Sequence, residues 1–140
     1  MKLKALLTAL TALVVGATFA VAEEDTPLSK EMSAMNKALR TVKRQAADPA
    51  KKADNLELIG KIKEHIAASL KFEPAKTKDQ PADNKPKYLD KYKEQMAGLD
   101  KAVDELKAAI EAGNGEAATK VFEKLGEIKE KGHKDFAPEE

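Results

Sequence analysis

The chain has 140 residues, of which 42% are hydrophobic, 4% aromatic and 35% charged, and its formal net charge is +1. Such an evenly mixed charge argues against nucleic-acid binding, which requires clustered lysine and arginine. The absence of cysteine excludes disulfides, thiolate metal sites, thiol catalysis and thioether attachment of haem. The abundance of alanine, lysine, glutamate and leucine instead indicates a helical domain.

The first 22 residues have the pattern of a secretory signal peptide. Two lysines lie within the first four residues, an apolar run follows over residues 5–19, and the small-residue motif Ala20-Val21-Ala22 precedes acidic residues. The apolar run is shorter than the roughly 20 residues that a membrane span needs. We therefore expect residues 1–22 to be a cleaved signal peptide, and residues 23–140 to form one domain in the periplasm with no membrane attachment.

The mature chain begins its first amphipathic segment at Thr26-Pro27, a capping residue followed by proline at the first helical position. The apolar positions then step by four and three, which is typical of one face of a bundled helix: Leu28, Met32, Met35, Leu39, Val42 and Ala46. Asp48-Pro49 ends this helix and begins a second, which finishes before Pro74. The inner face of the second helix is predicted to carry Leu56, Ile59, Ile62, Ile66 and either Ser69 or Leu70.

Residues 73–86 contain three prolines and no apolar periodicity, so they predict a long connection. The third helix has the most regular spacing, through Leu89, Tyr92, Met96, Leu99, Val103, Leu106 and Ile110. Gly113-Asn114-Gly115 then predicts a helix end and a tight turn. The fourth helix is predicted from about Glu116 to about Phe136, because Pro138 stops it.

Four amphipathic helices with two short connections and one longer loop predict an all-α fold, an antiparallel up-down-up-down four-helix bundle. In that topology the start of the first helix and the end of the fourth lie at the same end. Met32 and His133 can therefore face each other at about the same level, with Tyr92, Met96 and Phe136 around them.

Methionine and histidine on opposite sides of haem iron are one known way to fill both of its axial positions. Gly126 lies two turns before His133 on the same face, where an absent side chain would leave room for a macrocycle. The ordinary explanations are that methionine fills bundle cores and that a histidine near a helix end is solvated. The spacing alone leaves both interpretations open. His65, beside Ile66, is interpreted as a boundary residue in preference to a second metal ligand.

The chain resembles the cytochrome b562 family of periplasmic haem-binding four-helix bundles over about residues 26–136. The resemblance is carried by Met32-x-x-Met35-x-x-x-Leu39, by the Glu111-Ala112-Gly113 turn, and by His133 twenty residues after Gly113. It implies Met32 as the sixth ligand of haem iron, His133 as the fifth, and Tyr92 and Met96 packed on the porphyrin, with Phe136 nearby. Met35 is the competing ligand.

The segment from Lys129 to His133 also resembles the haem-attachment end of cytochrome c′, in which cysteines stand at the sites of Lys129 and Gly132. Because both cysteines are missing, the resemblance implies non-covalent haem b. With both axial positions filled, it implies a one-electron carrier and not an enzyme. Its redox partners would be periplasmic proteins that the sequence does not identify, and the protein would be a monomer or a weak homodimer.

Two alternatives from other classes remain at this point. One is a haem-free periplasmic bundle that acts as a binding or stress-related protein. The other is a copper site formed by Met32, Met35 and His133, since thioether and imidazole groups are suitable copper ligands.

Overall fold

The computed structural model describes residues 26–138, which form an antiparallel four-helix bundle, as the sequence predicts. The helices are α1 (Pro27–Gln45), α2 (Lys52–Ser69), α3 (Lys85–Glu111) and α4 (Gly115–Phe136). The predicted signal peptide, residues 1–22, lies outside the described residues. Among the described helices, none combines the length and the apolarity that a bilayer span requires.

Side-chain caps mark the starts of α1 and α4. Thr26 Oγ1 accepts a hydrogen bond of 3.1 Å from Ser29 N, and proline occupies the first turn of α1. Asn114 Oδ1 accepts a hydrogen bond of 3.0 Å from Ala117 N. Between α3 and α4, Gly113 has a φ of 65°, a left-handed conformation that favours glycine. These features confirm the predicted start of the first helix and the predicted turn before the fourth.

The connections differ from the prediction in detail. Short 3-10 helices occupy Pro49–Lys51, before α2, and Ala75–Asp79, inside the segment predicted as an irregular loop. The α3 helix begins at Lys85, so that Pro86 lies in its first turn, where the missing N–H leaves no hydrogen bond unmade. Thr77 is buried, which anchors the second connection to the bundle.

All four helices contribute to one apolar core. The most deeply buried large apolar side chains are no more than 1% exposed: Val42, Ile59, Ile62, Val103 and Leu106. On α2, Ser69 is buried whereas Leu70 is 45% exposed, which decides between the two predicted positions. Ala102 and Ala109 are also buried, so the inward face of α3 is wider than its bulky residues alone indicate.

Polar and aromatic contacts determine which helix ends meet. His65 Nδ1, near the end of α2, donates to Glu31 Oε2 at the start of α1 over 2.6 Å. Tyr92 Oη, near the start of α3, donates to Ser69 O over 2.9 Å. The Tyr92 and Phe136 ring centroids lie 5.4 Å apart, which joins the end of α4 to the same group. The start of α1 and the end of α4 therefore lie at the same end of the bundle, as the topology predicts.

The opposite end is held by a separate set of contacts. Gln45 Nε2, at the end of α1, donates to Asn55 Oδ1 in the first turn of α2 over 2.7 Å, and Asn55 is only 1% exposed. Lys52 Nζ donates to the carbonyl oxygen of Glu111 and so joins α2 to the end of α3. The buried amide of Asn55 is satisfied by its partner, which explains how a polar side chain can occupy this position.

Three of the four sides of the bundle are closely packed. The α1 helix packs against α2, α2 against α3, and α3 against α4. Within residues 26–138 the remaining neighbours, α1 and α4, do not pack closely against each other, although both line a hollow at one end of the bundle. We call the space between their facing sides the α1/α4 seam.

Replacement of a core leucine should cost far more stability than replacement of the exposed one. Leu106→Ala removes a side chain that is fully buried, so we expect the free energy of unfolding to fall by about 2–5 kcal/mol. Leu70→Ala is the matched control, with an expected change within about 0.5 kcal/mol. Denaturant unfolding followed by circular dichroism measures both, and equal losses would contradict the burial described here.

Candidate functional site

The hollow between α1 and α4 identifies which side of each helix faces the seam. It is lined by one end of each helix, through Lys43, Ala46, Ala47, Gly115, Ala118, Thr119, Phe122 and Glu123. Lys43 of α1 and Phe122 of α4 therefore serve as markers of the seam-facing sides. The other side of α1 faces α2, as the contact of Glu31 with His65 shows.

Met32 lies on the same side of α1 as Lys43. The two residues are eleven positions apart, which is about three helical turns and about 16 Å along the axis. Met32 is half-buried and packs against the core. Met35, which the sequence left as a competing ligand, is only 5% exposed and belongs to the core itself.

His133 occupies the corresponding position on α4. It is also eleven residues, about three turns, from the seam marker Phe122. Its side chain is exposed and lines an open depression with neighbours on the same helix: Gly126, Lys129, Glu130 and Lys134. A Cβ atom added to Gly126 would meet no atom within 4 Å. The predicted free space beside Gly126 is therefore present.

Helix periodicity predicts that the two proposed ligands face the same seam, although the depression around His133 is lined by α4 alone. The shared hollow lies at the end of α1 and at the start of α4, because the two helices run in opposite directions. A position three turns from the hollow therefore lies near the start of α1 or near the end of α4. Met32 and His133 consequently lie at about the same level on the seam-facing sides of their helices. One offers a thioether and the other an imidazole.

The other predicted residues of this end form an aromatic cluster between α3 and α4. The Phe136 ring lies 5.2 Å from the Tyr88 ring and 5.4 Å from the Tyr92 ring, measured between centroids. Tyr92, Met96 and Phe136 are buried at 5%, 3% and 7% exposure. Their contacts make them part of the core that supports the last turns of α4, which confirms the inner-face positions that the apolar spacing predicts for Tyr92 and Met96.

Burial also sets the ionisation of the two phenols in this cluster. It raises the pKa of Tyr92 to about 12. The pKa of Tyr88 is raised mainly by burial and further by the nearby carboxylates of Asp135 and Asp79. Both groups therefore remain protonated at neutral pH, where Tyr92 donates to Ser69 O and Tyr88 donates to Asp135 O over 3.1 Å.

The second histidine has a structural partner. His65 is half-buried and hydrogen-bonded to Glu31, which confirms the boundary position predicted for it. The sequence did not reveal its partner, because Glu31 lies 34 positions earlier. Among the residues that the structure describes, no group of three or more histidine, aspartate or glutamate side chains could hold a metal ion.

A family model described as cytochrome b562 matches residues 27–137, which include all four helices. The chain belongs to the cytochrome b562 family. Proteins of this family are b-type haem cytochromes that carry electrons and bind their haem non-covalently in a four-helix bundle. Neither a curated protein nor a solved structure matches the chain.

The residues of this cytochrome b562 homologue fit a haem in three respects. The seam provides a thioether and an imidazole on opposing helices, a donor pair that can fill both axial positions of haem iron. Gly126 leaves space next to the imidazole helix. Lys129 and Lys134 line the depression around His133 together with Glu130, so two of its three charged neighbours are cations that could pair with an anionic cofactor.

Tyr92→Phe should change the response of stability to alkaline pH. Tyrosine titrates near pH 10 when unfolded but near pH 12 in the folded protein, so the folded state holds an extra proton between these values and stability falls as the pH rises. The substitution should remove this contribution to the decline. At pH 7 it should lower the free energy of unfolding by about 1 kcal/mol, because the hydrogen bond to Ser69 is lost.

Denaturant unfolding from pH 7 to pH 12 checks this expectation. Tyr88→Phe is the control, because Tyr88 is half-buried and should contribute less to the fall of the free energy of unfolding with pH. If the free energy of unfolding falls equally steeply between pH 10 and 12 in Tyr92→Phe and in the unmodified protein, the raised pKa of Tyr92 is contradicted.

Proposed function

We propose that this protein is a periplasmic b-type cytochrome that carries one electron, with haem held in the α1/α4 seam by Met32 and His133. The observation that carries the proposal is the matched position of these two residues, each about three turns from the shared hollow on the seam-facing side of its helix. Membership of the cytochrome b562 family supports non-covalent haem as the cofactor.

Burial favours Met32 over Met35 as the methionine ligand. The Met35 side chain is 5% exposed and packed among core residues, so that turning it outward would leave a cavity. Met32 is only half-buried and can turn toward the seam at a smaller cost. The same burial argues against the copper alternative, because a site formed by Met32, Met35 and His133 would require Met35 to leave the core.

Bound haem would supply the one-electron change between ferric and ferrous iron. The thioether of Met32 favours the ferrous state and should raise the reduction potential above that of a haem held by two histidines. The imidazole of His133 would hold the iron from the opposite helix. Because the two side chains together fill both axial positions, no position is left for a substrate, which is the arrangement expected of an electron carrier.

One feature of the sequence supports a periplasmic location. Residues 1–22 have the charged, apolar and small-residue pattern of a signal peptide. The chain contains no cysteine, so attachment of haem through thioethers is excluded.

Ligand substitutions test the proposal, with each ligand compared against the other residue of its own type. Met32→Leu and His133→Ala should abolish the low-spin Soret and α bands that appear when haemin is added to the mature protein and reduced. Met35→Leu and His65→Ala should retain those bands, because neither side chain belongs to the proposed site. Absence of low-spin bands in the unmodified protein would overturn the proposal.

A side chain placed at Gly126 should obstruct haem without disturbing the fold. Gly126→Leu should leave the apoprotein at least as stable, because the new Cβ meets no atom within 4 Å and leucine favours a helix more than glycine does. Haem affinity should fall about tenfold or more, as expected when a site is overfilled.

Gly60→Leu is the matched control for this substitution. Gly60 is also exposed, lies within α2, and has no atom within 4 Å of an added Cβ. Haem titration and apoprotein unfolding should show no loss of haem affinity in Gly60→Leu. Equal haem affinity in the two variants would place the haem away from Gly126.

A further inference from the structure

The net positive charge of the described residues is concentrated on α1. This helix carries five basic residues and one acidic residue, a net charge of +4. Acidic and basic residues are equal in number in α2, with three of each, in α3, with six, and in α4, with five. The near-neutral composition of the whole chain conceals this asymmetry.

The basic residues of α1 form one continuous exposed surface, which we call the basic face of α1: Lys30, Lys37, Arg40, Lys43 and Arg44. Lys30, Lys37 and Arg44 recur every seven residues, so they lie in one row about 21 Å long on the side of the helix away from the core. Arg40 and Lys43 lie on the side of this row nearer to α4, and Lys43 itself lines the hollow at the seam.

Ion pairs within residues 26–138 leave this surface uncompensated, and across the seam Glu123 lines the same hollow as Lys43 without forming an ion pair with it. None of its five side chains makes an ion pair there, and the one polar contact is a hydrogen bond from Arg44 to Thr41. The single carboxylate of α1, Glu31, is turned away and bonded to His65. Several lysines of the other helices pair with carboxylates, as in Lys63 with Asp100 and Asp104, Lys91 with Asp135, and Lys124 with Glu105, although others do not.

Unpaired cations in a row produce a local positive potential that attracts and orients an acidic surface. The basic face borders the α1/α4 seam at Lys43, about three turns from Met32, so a molecule bound there would lie on the helix that carries the proposed methionine ligand. We propose that the basic face of α1 is the docking surface for an acidic face of a protein redox partner. This inference rests on the proposed function.

A protein partner fits this surface better than an anionic membrane. Helices that bind a membrane surface insert large apolar side chains between the lipids, in addition to attracting their headgroups. The one large apolar side chain that is exposed within the described residues is Leu70, which lies just after α2 and not on α1. The basic face thus offers charge without an apolar anchor, which is suited to reversible protein docking.

The test compares two variants with the same loss of charge. Lys30→Gln, Lys37→Gln and Arg40→Gln are combined in the α1 variant, and Lys71→Gln, Lys87→Gln and Lys101→Gln in the control variant. All six side chains are exposed, and none makes an ion pair within the described residues. Thermal unfolding of both variants should match that of the unmodified protein.

Binding of poly-L-glutamate and electron transfer from a reduced acidic flavodoxin are then measured at low and high salt. For the α1 variant we expect about tenfold weaker binding and an about tenfold lower second-order rate constant at low salt. The control variant should stay within about twofold, and added salt should reduce all differences as it screens the charges. Equal behaviour of the two variants would overturn the docking surface.

Two further measurements separate the remaining outcomes. The unmodified protein could bind phosphatidylglycerol vesicles more tightly than poly-L-glutamate, and the α1 variant could lose this binding. That result would identify a membrane as the partner and overturn the inference. Poly-L-glutamate binding is also measured on the haem-free protein. If the protein shows no haem bands but the α1 variant still binds poly-L-glutamate more weakly than the control variant, the proposed function alone has failed. If the haem bands appear but the two variants bind poly-L-glutamate equally, the docking surface alone has failed.

Discussion

Within residues 26–138, α1 and α4 are the one pair of neighbouring helices that do not pack closely against each other, and the proposed function depends on this feature. A helix pair closes when apolar stripes from both partners meet. The hollow between the two helices is lined by Lys43 of α1 and Phe122 of α4, whereas Gly126 and His133 line an open depression on α4 alone. The two helices are instead held through α2 and α3, with which they share the core. A flat apolar group with two free axial positions would complete the fourth side.

The seam has a defined geometry because the ends of the helices are held together by specific contacts. The hydrogen bond of Glu31 with His65 joins the start of α1 to α2, immediately beside Met32. The contacts of Tyr92 with Ser69 and Phe136 join α2, α3 and the last turn of α4. The helix ends that carry Met32 and His133 are therefore fixed by contacts with α2 and α3. Such preorganisation reduces the cost of ordering side chains when a ligand binds.

Much of the fold follows from the sequence because its signals are local. The alternation of three and four between apolar residues predicts four helices, and Thr26 and Gly113-Asn114-Gly115 mark where helices begin and end. Short connections then leave few topologies, which is sufficient to bring Met32 and His133 to one end. The choice between Ser69 and Leu70 could not be made in this way, because it depends on a rotation of α2 that packing against the other helices sets.

Long-range polar pairs were also beyond the sequence. Nothing local indicates that Glu31 faces His65, or that the buried amide of Asn55 is satisfied by Gln45. The ring contacts of Phe136 with Tyr88 and Tyr92 likewise depend on how α3 and α4 come together, although the apolar spacing already predicts that Tyr92 faces inward. The charge of α1 can be counted in the sequence, but its meaning depends on the structure, which shows that those cations are unpaired and lie beside the seam.

Hydrogen exchange of the backbone amides, measured with and without haemin, tests most directly whether the seam is the haem site. We expect haemin to slow exchange around Met32 in the first turns of α1 and from Gly126 to Phe136 in α4, with smaller changes in the already packed middle of α2 and α3. Protection confined to α2 and α3, or no protection at all, would contradict the account.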